Sequence, residues 1–259
     1  MLTRILCRFY ATASPAARKR FYKNVFLSKV DERLNEIKLD NRSVKTPKGQ
    51  VLRIDSEPLA LAIAQEWDCQ KEWIRPNQMH LTGLAITALD NPTSHTKEQF
   101  IDEIVQMFEN DTIFFLTDES EALMRLQTER WGQLIEWAKT HLGVEVKPSA
   151  DIVGPEISDE ARQRLIRFLS VYNLSALRGV HFAAEALKSI LLALAAIQGR
   201  LSVKEAVKLS FLEQEYQTER WGRVEWAHDV EYYDSCARLA AAVLFVQLNS
   251  TSHSVIDKP

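Results

Sequence analysis

The side chains best placed for chemistry in this chain are Glu225, His228 and Asp229. On a helix the spacing i, i+3, i+4 puts them on one face. Glu-x-x-His is the ligand unit of carboxylate-bridged di-metal bundles, which need two such units and two further glutamates. The helical half holds no second unit. The segment most like this one offers Glu136 and Lys139, and a protonated lysine cannot bind a metal. One reading is therefore a metal-dependent hydrolase or oxidase using Glu225, His228 and Asp229. The plainer one is a histidine that makes a single hydrogen bond near a helix end.

The related segment belongs to a short repeat. Gln127-Thr-Glu-Arg-Trp-Gly132 recurs letter for letter from Gln217 to Gly222, and both copies run on to a Glu-Trp-Ala, ending at Ala138 and Ala227. The flanks do not match, so no whole domain is repeated. Coincidence between two amphipathic helices accounts for it, each copy pairing large aromatics with a charged rim. Around the second copy, Glu213, Glu215, Glu219, Glu225, Asp229 and Glu231 surround Tyr216, Trp221, Trp226 and His228. The usual signatures of nucleotide, zinc and serine chemistry are missing. Six scattered histidines lack ligand spacing, and eight glycines give little material for phosphate-cradling loops.

The elements that must hold these residues are of two kinds. Apolar residues alternate at Phe21, Val25 and Leu27, at Ile37 and Leu39, and at Leu52 and Ile54, with turn signals at Asp40-Asn41 and Pro47-Lys48-Gly49. That pattern predicts an antiparallel meander. Ser56 then caps a helix with Glu57 and Pro58 in its first turn and a stripe of Leu59, Ile63 and Trp67. Beyond residue 80 the apolar period becomes helical. Thr96-x-x-Gln99, Asp118-x-x-Glu121 and Ser202-x-x-Glu205 read as capping boxes. Asp111 to Leu116 reads as strand-like, and Val144 to Pro155 as an interruption. The last helix, Tyr232 to Leu248, is apolar nearly all round, which predicts the centre of a bundle. The fold class is α+β: a small antiparallel β-rich domain with a helix over residues 21–80, then an all-α bundle over 81–259.

Residues 1–20 carry Arg4, Arg8, Arg18, Lys19 and Arg20 and no acid, with Leu2, Ile5, Leu6 and Phe9 at helical spacing. This is the pattern of a mitochondrial targeting segment, cleaved close to Arg18–Arg20. The alternative is a basic arm for nucleic acid or membrane. The chain carries a formal charge of −3, and loss of those five cations leaves about −8. So acidic a protein is poorly suited to nucleic acid. Cys7, Cys69 and Cys236 are too few and isolated for a disulfide framework or a zinc site. The longest apolar run, Ser189 to Ile197, is far too short to span a bilayer.

Several segments, in order along nearly all of the mature chain, carry a family resemblance. They are Arg20-Phe-Tyr-Lys-Asn-Val25, Leu59 to Asp68, Met79-His-Leu-Thr82 through Leu89-Asp-Asn-Pro92, and Leu212-Glu-Gln-Glu-Tyr-Gln217 leading to Trp221 through Asp229. With these the chain resembles the mitochondrial assembly chaperones of the F1 sector of ATP synthase, those that hold the α subunit. The resemblance implies a monomeric, non-enzymatic chaperone in the mitochondrial matrix. Its partner would be the unassembled F1 α subunit, and it would need no cofactor. It also singles out the acidic stretch, so Glu213, Glu215, Trp221, Glu225, His228 and Asp229 are the expected partner-binding residues. A fold-critical polar network is the other role open to them. Besides the enzyme reading, a structural subunit of a respiratory complex remains a third possibility.

Overall fold

Alternating apolar residues build a four-stranded antiparallel sheet. In the computed structural model, which describes residues 18–31, 34–151 and 154–250, the strands are β1 (Val25–Lys29), β2 (Asn35–Leu39), β3 (Arg42–Ser43) and β4 (Arg53–Ile54). β2 pairs with all three others, and the β1–β2 register sets Val25 opposite Leu39 and Leu27 opposite Ile37. Asp40 makes the β2–β3 turn at a φ of 52°. Its carboxylate accepts the Lys23 and Asn24 amides, which hold it below the usual carboxylate range.

The helix predicted after Ser56 is α1 (Glu57–Asp68), with the serine hydroxyl accepting the Leu59 amide. It buries Leu59, Ala60 and Ile63 and packs on β1 and β2; Trp67 is half-buried. Glu66 reaches the start of α2 (His80–Asp90), accepting the Leu81 and Thr82 amides and the Thr82 hydroxyl at 2.7–2.8 Å. A carboxylate there satisfies donors that the helix itself leaves open.

The chain divides into two units between Ile86 and Thr87, inside α2. The expected targeting segment lies outside the described residues except for Arg18, Lys19 and Arg20, and these three belong to the N-terminal unit. The Ile74 amide donates to the Arg18 carbonyl and the Arg20 amide to Glu72. The Arg20 guanidinium donates to the carbonyls of Tyr22, Lys23, Asp68 and Gln70 and lies over the Tyr22 ring.

The C-terminal unit is helical: α3 (Lys97–Glu109), α4 (Glu121–Trp137), α5 (Asp159–Ser170), α6 (Leu174–Leu187), α7 (Ile190–Ile197), α8 (Val203–Ser210), α9 (Leu212–Trp221) and α10 (Ala227–Ser250). Thr96 and Ser202 form full capping boxes with Gln99 and Glu205. The third box is different. Ser120, not Asp118, caps α4 by accepting the Leu123 amide. Asp111 to Leu116 is not a strand either; it holds one tight turn at Thr112–Phe114 and a single bridge from Phe115 to Ser149.

The centre of the bundle is α7, not α10. All eight α7 residues are buried, while α10 buries one stripe (Leu239, Ala242, Phe245, Val246) and exposes Val230, Tyr233 and Leu244. α10 packs chiefly along α6. Gly179 permits the close approach, since a Cβ there would sit 2.5 Å from Val246 Cγ2.

Burying α7 leaves its first-turn amides without water, and Asp111 supplies the acceptor. Fully buried, its carboxylate accepts the Leu191 amide at 3.0 Å and the Ile113 amide at 3.2 Å. Burial pushes its pKa up to about 6, against the opposing pull of bonds from Leu191, Ser189, Ile113 and Ile190.

Two outcomes follow for stability. Arg20→Ala should lower full-chain stability by about 1–2 kcal/mol, because four carbonyls, those of Tyr22 and Gln70 part-buried, lose a charged donor; chemical denaturation measures it. Asp111 binds its proton more tightly folded than unfolded, so its contribution is present at about pH 4 and is lost as pH rises through about 6. Wild-type stability relative to Asp111→Asn should therefore fall by up to about 3 kcal/mol between about pH 4 and 7, then level off.

Candidate functional site

The first copy of the repeat lies in the middle of α4 and turns Gln127 and Trp131 inward, with Thr128, Glu129 and Arg130 exposed. Trp131 is buried, and its indole N–H donates to the Leu209 carbonyl at 3.0 Å. Gln127 is fully buried, accepting the Thr117 amide at 2.9 Å and donating to Glu213 Oε1 at 2.6 Å. The Ser120 and Tyr216 hydroxyls share a hydrogen bond of 3.0 Å. Through these bonds α4 holds the start of α9, and Glu213 takes part in a polar network of the fold.

The second copy is placed differently. It forms the exposed end of α9, where Gly222 stops the helix at a φ of 90°. Trp221 is 77% exposed. Glu225 and Trp226 then lie in a turn ahead of α10, Trp226 at a φ of 69° and 79% exposed. Positive φ is uncommon for so bulky a side chain. The two copies are thus alike in letters and opposite in the burial of their Gln and Trp side chains.

The turn also undoes the expected helix face. Glu225 precedes α10, so the helical i, i+3, i+4 relation with His228 and Asp229 does not exist. Among the described residues no group of three or more His, Cys, Asp or Glu could hold a metal. The half-buried His228 Nδ1 has no hydrogen-bond partner there. The metal-enzyme reading loses its geometric basis.

Arg223 instead organises the corner. It donates to both oxygens of Glu215, at 2.7 and 2.9 Å, and to Asp229 at 3.0 Å, bridging α9 to the first turn of α10. Beside it runs a groove of about 620 Å³ between α4, the α8–α9 junction and α10, with Leu126, Leu212, Tyr216 and Tyr232 among its walls. Tyr232 sits above the usual tyrosine range, raised by burial and then by Cys236, Tyr233 and Glu215.

Of the twelve large apolar side chains that are exposed among the described residues, five fall between Trp221 and Tyr233: Trp221, Val224, Trp226, Val230 and Tyr233. Single exposed hydrophobics are ordinary, but their concentration makes this corner the candidate interaction surface. Sequence reasoning selects Trp221 and leaves out Val224, Trp226, Val230 and Tyr233. Their isolation among charged neighbours was a usable signal.

The sequence model of the ATP12 chaperone protein family matches residues 19–139. The mitochondrial protein atp12 of Schizosaccharomyces pombe is 29% identical over 95% of this chain and 89% of its own length. Atp12 from Paracoccus denitrificans, a solved structure, is 30% identical with a TM-score of 0.79, over 89% of this chain and 98% of that one. The chain belongs to the ATP12 chaperone family. A third structure, a putative chaperone from Agrobacterium tumefaciens, is 28% identical with a TM-score of 0.83, over 89% of this chain and 86% of that one. The ATP12 sequence match stops at residue 139 and so includes the buried copy of the repeat but not the exposed corner.

The contrast between the copies is measurable. Trp131→Ala should cost about 3–5 kcal/mol, as for a large aromatic removed from a core. Trp221→Ala should change stability by less than about 0.5 kcal/mol, as at an exposed position without structural duties. Denaturation midpoints of the two variants decide it.

Proposed function

We propose that this ATP12-family chaperone holds the unassembled F1 α subunit in the mitochondrial matrix and releases it as the F1 sector of ATP synthase assembles. It does so as a monomer, without catalysis and without a cofactor. Membership of a chaperone family supports the class of activity, and the mitochondrial relative in S. pombe supports the compartment. The observation that carries the reading is the α9–α10 corner, where aromatic side chains are held out into solvent. An unassembled subunit exposes apolar surface that its neighbours later cover, and a chaperone must shield it reversibly. Rigid aromatics supply the anchoring area and the charged rim supplies orientation.

The expected site residues divide by role. Trp221 and Glu225 are exposed and available for contact. Glu215 and Asp229 act through Arg223, and Glu213 through Gln127, in positioning α9 and the turn. His228 lies in the groove wall. In a pull-down of α subunit from matrix extract, the Trp221→Ala/Trp226→Ala double variant should capture about tenfold less than wild type, with an unchanged melting curve. Undiminished capture would remove the corner from the client site, and failure of the wild type to capture α subunit would remove the client.

A further inference from the structure

The exposed corner has a charge as well as an apolar surface. Between Glu213 and Asp234 the chain holds seven carboxylates and two arginines, whereas the whole protein is only −3. One of the arginines, Arg223, is already engaged by Glu215 and Asp229. The other, Arg220, lies over the Tyr216 ring. Glu219, Glu225 and Asp234 are exposed and have no ion-pair partner among the described residues. These three are interleaved with Trp221, Val224, Trp226, Val230 and Tyr233, which stand in solvent.

Resting on the reading of this corner as the client surface, we propose that its occupant is a client segment of apolar side chains flanked by lysine or arginine. The Trp and Val side chains would cover the apolar part, and Glu219, Glu225 and Asp234 would meet the flanking cations. The surface carries its excess carboxylates unpaired, so a cation of the client gains a partner without breaking one inside the chaperone. A client flanked by carboxylates would face like charge over the same area, which costs affinity and selects against it. Arg223 serves in this scheme as a positioning residue. It engages Glu215 and Asp229 within the fold and holds the irregular turn that presents Trp226, leaving the outer carboxylates for the client.

The test uses the full chain and three synthetic peptides sharing one Leu/Phe core, flanked by lysine, by glutamate or by serine. Fluorescence anisotropy at about 0.05 M salt should show the lysine-flanked peptide binding about tenfold tighter than the glutamate-flanked one, with the two converging near 1 M salt. The triple variant Glu219→Gln/Glu225→Gln/Asp234→Asn should lose most of that preference and bind the serine-flanked peptide unchanged. Trp221→Ala/Trp226→Ala should weaken all three peptides. Equal binding of lysine- and glutamate-flanked peptides overturns the inference, as does a preference that survives the triple variant. So does self-association through the corner with no peptide bound, which would make a second copy the occupant. Capture of α subunit without a charge preference defeats this inference alone. A preference without α capture supports it and defeats the proposed client.

Discussion

The C-terminal unit is organised around an eight-residue helix with no exposed side. Every residue of α7 is apolar and buried, so its packing contributes a large share of the core. The same burial takes its first-turn amides away from water, where an unmet donor costs as much as several buried methylenes return. Ser189 accepts one of them, from Leu192, and Asp111 accepts that of Leu191. The α6–α7 turn is also held from outside the helix pair, since the Thr112 amide donates to the Lys188 carbonyl. The segment around Asp111 therefore works as an external cap, and its irregular backbone follows from that duty.

Around this centre the remaining helices need only one apolar stripe each, which leaves their other faces available. α4 uses its stripe and its buried Gln127 to hold α9, and α9 carries the chain out to the exposed corner. Trp221 and Trp226 stand mostly in solvent, so little core packing rests on them. This surface can thus be apolar without drawing on the core beneath it. The Arg223 bridge ties the end of α9 to the first turn of α10, and under the proposed function such pre-ordering would reduce the freedom lost on association.

Much of the fold was legible because the signals were local. Ser56, Thr96 and Ser202 announced helix starts by hydrogen bonds to residues three positions on, and Asp40-Asn41 announced a turn. Where the sequence misled, a distant partner had decided the outcome. Asp118 has the spacing of a cap, but the chain turns so that Ser120 takes that place. α10 looks central by composition, yet of its apolar residues it buries only the stripe of Leu239, Ala242, Phe245 and Val246, while Ala237, Ala240 and Leu244 on its outer side meet water. Glu225 appeared to continue a helix with His228, but Gly222 stops α9 and the Arg223 bridge resets the chain before α10 begins.

The repeated Gln-Thr-Glu-Arg-Trp-Gly segment separates the two levels. By itself the sequence determined that each copy would form helix and carry a large aromatic beside charges, because propensity and side-chain periodicity act over a few residues. Only the tertiary structure decided that Trp131 would be sealed against α8 and Trp221 left in solvent. Burial depends on which other elements arrive at a face, and six identical residues hold no information about that. The copy in mid-helix, flanked by Leu126 and Leu134, became core; the copy ending at a helix terminus became surface.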